Sequence, residues 1–180
     1  MKKLFLILVL IGITISCGCN EEVVTFTLTE QEKSIVPYKL NNTVQWTDNN
    51  STIFNGTVNE IKDNYSEGGR GCEVVRLNRL LNFIQFNDFK YEVGLDKMGN
   101  TDVNLVIQEY IDNKITKAFM RGIKLEHFTT IQFNGETYEN AVLVKQSVLD
   151  DMPFGHLVYS KTNGIEFILF EDGTWYKRVE

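Results

Sequence analysis

Thr129-Thr130-Ile131-Gln132-Phe133, then Asn134-Gly135, then Thr137-Tyr138-Glu139-Asn140-Ala141-Val142-Leu143-Val144 is the stretch that decides the fold class. Asn-Gly tolerates the two positive φ angles of a type I′ turn, whose twist matches that of paired strands. Thr129–Phe133 and Thr137–Val144 are therefore predicted to pair as a hairpin.

Outward from this hairpin the same grammar recurs. Phe89, Tyr91, Val93 and Leu95 alternate with Lys90, Glu92 and Gly94, the period of a half-buried strand. Val44 and Trp46 alternate with Thr43, Gln45 and Thr47. Val103, Leu105, Ile107 and Ile111 form a further apolar face, and Asp112-Asn113 turns the chain. Leu157–Tyr159, Ile165–Phe170 and Thr174–Val179 make a terminal meander, broken at Thr162-Asn163-Gly164 and Glu171-Asp172-Gly173. Ile53–Ile61 is a strand weakened by Gly56, and Glu73–Phe86 a strand with an irregularity. Asp63–Gly71 is expected to be the longest loop, and Asp150–His156 a second loop holding Pro153. Thr116–Lys124 fits neither pattern better than the other. Thr29-Glu30-Gln31-Glu32 has capping-box spacing and Pro37 stops a helix, so a short N-terminal helix is expected from Glu30 to about Ile35.

Strands joined by short turns imply antiparallel pairing. The expected fold is mainly β: an antiparallel meander forming a curved sheet, a half-barrel or a sandwich, with the short N-terminal helix. Length and composition agree. The chain has 180 residues, 43% of them hydrophobic and 12% aromatic, enough for one domain with a true core. Its net charge of −6 argues against a nucleic-acid partner, which requires a basic face.

The N-terminus has a different character. Lys2 and Lys3 precede an apolar run from Leu4 to Ile15, interrupted only by Gly12 and Thr14. That run is too short to cross a bilayer but suits the apolar region of a secretory signal peptide. Ile15-Ser16-Cys17 follows, with Gly18-Cys19 directly after. This pattern resembles the lipoprotein signal peptide of bacteria, in which a small residue precedes a cysteine that is diacylated and becomes the new N-terminus. The resemblance implies a signal peptide at 1–16 and lipidation at Cys17; the residues beyond read as a polar tether at 17–24 and a single β-rich domain at 25–180. Cys19 is the other candidate acceptor. Loss of Lys2 and Lys3 with residues 1–16 takes the net charge from −6 to −8. An acidic domain is repelled by anionic lipid, so the acyl chains themselves must hold it at the membrane. Export makes a Cys19–Cys72 disulfide chemically possible, with Cys72 as a lone thiol the plainer reading.

The C-terminal part resembles small envelope lipoproteins of the Bacteroidetes type. The matching residues are Phe133 to Val142, Val158-Tyr159-Ser160-Lys161, Asn163-Gly164-Ile165 and Asp172-Gly173-Thr174-Trp175, with Ile35-Val36-Pro37-Tyr38 upstream. The resemblance implies a cell-envelope location, in the outer membrane or facing the periplasm. It implies no activity.

Chemistry is sparse. There is no G-x-S-x-G elbow, no H-E-x-x-H and no Walker loop. Gly68-Gly69-Arg70-Gly71 lacks the strand-to-helix setting of a phosphate loop. His127, beside Glu126, and His156 are isolated in sequence, and Asp150-Asp151 reads as a solvated turn rather than a calcium site. No catalytic residue, metal or cofactor is assigned. The aromatics Trp46, Phe83, Phe86, Phe89, Phe167, Phe170, Trp175 and Tyr176 read as core, or as the lining of an apolar cradle. The expected function is a non-catalytic, lipid-anchored binding or structural module. Its alternatives are a periplasmic carrier for a hydrophobic ligand and an envelope hydrolase using His127 or His156.

Overall fold

A computed structural model describes residues 22–69, 73–145 and 155–179. The described chain is mainly β and builds one open sheet. Its strands are β1 (Glu22–Phe26), β2 (Thr43–Asp48), β3 (Ile53–Gly68), β4 (Glu73–Gln85), β5 (Lys90–Lys97) and β6 (Val103–Ile111), followed by β7 (Lys114–Ile123), β8 (Thr129–Phe133), β9 (Glu136–Lys145), β10 (Gly155–Ser160), β11 (Gly164–Phe170) and β12 (Trp175–Arg178). The order across the sheet is β7-β6-β5-β4-β3-β2-β12-β11-β10-β9-β8. Every pairing on this path is antiparallel, as turn-linked strands require.

Three expectations change and one open stretch is settled. Asp63–Gly68 is not a loop but the second half of β3, in register with β4 from Ile61↔Asn82 to Gly68↔Val75. Its own residues are polar and exposed, so only the partner strand reveals it as a strand. Glu22–Val24, assigned to the tether, belong to β1, which pairs with β4 in parallel. Gly155 and His156, assigned to a loop, begin β10. Thr116–Lys124 is almost wholly strand, since β7 runs to Ile123.

The turns behave as their residues demand. Asn134 and Gly135 both have positive φ, 49° and 81°. Asp112 and Asn113 do the same at 51° and 61° without a glycine, as short polar side chains allow. Gly56 has a packing purpose: a Cβ there would lie 2.6 Å from the Phe86 ring.

One face of the sheet is mostly apolar, and the sheet bends until that face meets itself. The inward rows run across strands: Leu80, Leu95 and Leu105; Val93, Ile107 and Phe119; Ile84, Tyr91 and Glu109. Val142 and Val144 of β9, Leu157 and Tyr159 of β10, and Ile165 and Ile168 of β11 complete the same core. Trp46 lies at its centre, 4.7 Å from Phe86, 5.1 Å from Tyr91 and 6.3 Å from Tyr176 between ring centroids. Where β7 comes up against β9, the Arg121 guanidinium donates to the Leu143 carbonyl.

The segment between β1 and β2 packs against the interior as a plug. Its one helical turn, α1 (Glu30–Lys33), carries a complete capping box with Thr29. The short helix expected there amounts to that turn. Leu28, Ile35, Val36 and Tyr38 are buried. Asn78, itself buried, accepts from Leu28 N–H and donates to Asp63. Lys33 pairs with Asp63 at 2.6 Å and buried Lys97 with Glu32 at 2.6 Å. At the far end of the plug, Tyr159 donates to the Ile35 carbonyl and Ile165 N–H donates to the Tyr38 oxygen.

Two predictions follow from this plug. A Cβ on Gly164 would stand 2.2 Å from the Tyr38 oxygen, at φ +80°. Gly164→Ala is expected to cost about 2–3 kcal/mol in urea unfolding. Burial pushes Glu32 up, but the Lys97 ammonium and the Thr29 bonds outweigh it and hold Glu32 below the usual carboxylate range. The Lys33 ammonium, helped by the Asn78 amide, holds Asp63 low as well. Depressed carboxylates stabilise the fold above their unfolded pKa of about 4, and that contribution is lost as pH falls through the folded values. The urea midpoint should therefore fall as pH drops from about 5 to about 3, and Lys97→Met should flatten that limb.

Candidate functional site

Cys17, Cys19, Cys72, Asp150 and Asp151 lie outside the described residues, so lipidation, the disulfide and the acidic turn have no structural counterpart here. His127 ends a 3-10 turn, Leu125–His127, where its Nδ1 accepts the Lys124 N–H at 3.2 Å. His156 packs 6.1 Å from the Phe133 ring. Among the described residues no group of three His, Cys, Asp or Glu side chains is placed to hold a metal ion.

The aromatics divide between the two faces. Trp46, Phe86, Phe89, Phe170 and Tyr176 join the inward cluster. Phe167 and Trp175 face outward and stack at 5.7 Å. The apolar cradle is thus occupied by the protein's own side chains.

The outer face has a second layer. Asn140, at φ +49°, kinks β9, and the register with β8 shifts between Thr129↔Ala141 and Ile131↔Tyr138. Residues 141–145 pair with β10, while the half of β9 before the kink folds with β8 over the outer face of β10–β12. Ile131, Phe133 and Tyr138 pack there on Val158, Phe167 and Trp175. The Glu136 carboxylate reaches β12, where Lys177 Nζ donates at 2.7 Å.

Beside this folded-back hairpin lies an open cleft of about 1000 Å³. Glu136–Asn140 form one wall; Thr162, Asn163, Glu166 and Thr47, with Lys177–Val179, line the rest. A smaller recess of about 170 Å³ adjoins it and shares Thr162, Asn163 and Arg178. Glu166 Oε1 accepts from Ser160 Oγ at 2.6 Å and Asn163 Nδ2 at 3.0 Å. Its Oε2 has no partner among the described residues. Lys177, with the Tyr138 phenol assisting, holds Glu136 below the usual carboxylate range. Burial pushes the Tyr138 phenol up, and the Glu136 and Glu166 carboxylates add to it. Glu136 therefore stays ionised at neutral pH, while the tyrosine stays protonated. The walls offer hydrogen bonds and fixed charge.

No single stretch of sequence announces this cleft. Its wall falls inside the residues that carry the lipoprotein resemblance, which implies no activity for them. The opposite side comes from a turn and a terminal strand more than twenty residues away. Comparison with protein families, curated proteins and solved structures finds no match for this chain.

The hairpin's docking is testable. The Lys177–Glu136 pair is about 40% exposed at both ends, with side-chain values of 37% and 43%. It should contribute only about 0.5 kcal/mol. Lys177→Met is expected to leave the global midpoint almost unchanged, yet to speed amide exchange at Ile131 and Tyr138 more than at Val144 or Leu157.

Proposed function

We propose that this chain is a non-catalytic binding module of the bacterial cell envelope, acylated at Cys17, with the outer-face cleft as its binding surface. The observation that carries the binding half is the cleft itself. A hairpin folded back on its own sheet leaves a wall of polar side chains in which Glu136, Thr137 and Tyr138 are already held by an ion pair and hydrogen bonds. Such a surface recognises a partner with little ordering cost. The anchoring half rests on Lys2-Lys3, the apolar run to Ile15 and Ser16-Cys17. We read the bent sheet as a half-barrel with a filled interior. That filling favours this function over the carrier for a hydrophobic ligand, because the space such a ligand needs is held by Trp46, Tyr91, Phe119 and Ile168. The hydrolase reading draws support from neither histidine, since one caps a turn and the other packs on a ring.

The anchor is tested by metabolic labelling with palmitate. Label should enter the wild-type chain and Cys19→Ser, and be lost in Cys17→Ser, which should also leave the membrane fraction. An unlabelled wild type would refute the anchor.

A further inference from the structure

The cleft's wall is the edge of a strand. In the two-residue hairpin, Phe133↔Glu136 and Ile131↔Tyr138 exchange the ladder bonds with β8, and Gln132↔Thr137 is the position between them. The Thr137 N–H and C=O therefore point away from β8. β9 gains its second neighbour, β10, only from Ala141 onward. The last backbone link there is Lys161 N–H to the Asn140 carbonyl. Before the kink, β9 has β8 on one edge and the cleft on the other. Thr137 itself is exposed. An unpaired strand edge is a template for another extended chain.

The charges narrow the partner. Lys177 is committed to Glu136. Among the described residues, Glu139 and Glu166 are in no salt bridge, and Glu166 Oε2 is free to accept. Arg178 donates one guanidinium N–H to the Asn163 carbonyl and keeps its charge, so the lining sets three carboxylates, Glu136, Glu139 and Glu166, against two cations, Lys177 and Arg178. A carboxylate on the edge strand and one on the facing wall suit a ligand carrying ammonium or guanidinium groups.

We propose that the cleft binds an extended, basic polypeptide segment, which adds as a strand to the Thr137 edge and directs a Lys or Arg side chain toward Glu166 or Glu139. This rests on the reading of the cleft as a binding surface and names its ligand class. Backbone pairing supplies affinity that tolerates many sequences, and the two carboxylates supply the charge preference. The volume fits: a strand of four residues is about 13 Å long, and about 1000 Å³ is at the large end of ligand clefts.

The test uses the full chain in detergent micelles with amide nitrogens labelled. The probe is acetyl-Lys-Thr-Lys-Thr-Lys-amide. Saturable shifts confined to Thr137, Glu139 and Asn163, with slowed exchange of the Thr137 amide, are expected. The same peptide N-methylated at both threonines should bind at least tenfold more weakly, as should Thr137→Pro. That substitution removes a donor the β8 ladder does not use. If Thr137→Pro fails to fold, Glu139→Lys serves instead. It should weaken the lysine peptide at least threefold and strengthen acetyl-Asp-Thr-Asp-Thr-Asp-amide. The proposal is overturned by an absence of saturable shifts, by equal binding of the N-methylated peptide, or by shifts induced by maltohexaose in place of the peptide. Loss of palmitate label would refute the anchor while leaving this outcome intact, so the two failures are separable.

Discussion

A single antiparallel sheet with one apolar face has nothing of its own to cover that face. The rest of this molecule answers that constraint. The sheet bends until inward rows from β4–β7 meet those from β9–β11, and Trp46, Phe86, Tyr91 and Tyr176 fill the middle, where the rings pack tilted, edge-on or stacked. Bending leaves two difficulties. One is the line where β7 approaches β9, which the Arg121 guanidinium bridges. The other is the ends of the interior. The plug at 27–42 packs into it on one side. In the row that also contains Ile84, the buried Glu109 carboxyl group accepts from Tyr91 and Thr116 and lies 3.0 Å from the Lys117 amine. Each of its oxygens is bonded and the Lys117 amine stands against it, which offsets the cost of burying the group.

Parts of this were visible in the amino-acid order. Alternation identified β2, β5 and β6, and Asn134-Gly135 identified the hairpin, because both signals are local. The capping box was equally local and holds one turn. The second half of β3 was invisible for a physical reason. Lys62, Asp63, Asn64 and Ser66 have no buried face to alternate against, and their strand character comes from hydrogen bonds to β4. Gly56 counted against a strand when judged by propensity, whereas in the fold it makes room for Phe86.

The cleft was hidden more deeply. Glu136, Glu166 and Lys177 are far apart in sequence, and none sits in a pattern that marks a site. What brings them together is the positive φ of Asn140, a backbone event that a lone asparagine does not advertise. The motif residues Tyr38, Tyr159, Gly164 and Ile165 were legible as a set but not as a contact. In the fold they meet, and the two tyrosine oxygens tie the plug to β10 and β11. The cleft and the recess beside the plug thus share the turn at Thr162-Asn163.

The parallel pairing of β1 with β4 has a geometric consequence. Glu22 is already in register with Glu73, and five peptide steps separate it from Cys17. A fully extended chain covers about 3.5 Å per step, so the longest possible leash is about 17 Å. Lipid attached at Cys17 would hold the β1 edge within one helix-diameter or two of the bilayer. The domain would then be moored rather than tethered, sweeping a thin layer next to the headgroups, and a partner would have to reach into that layer to find it.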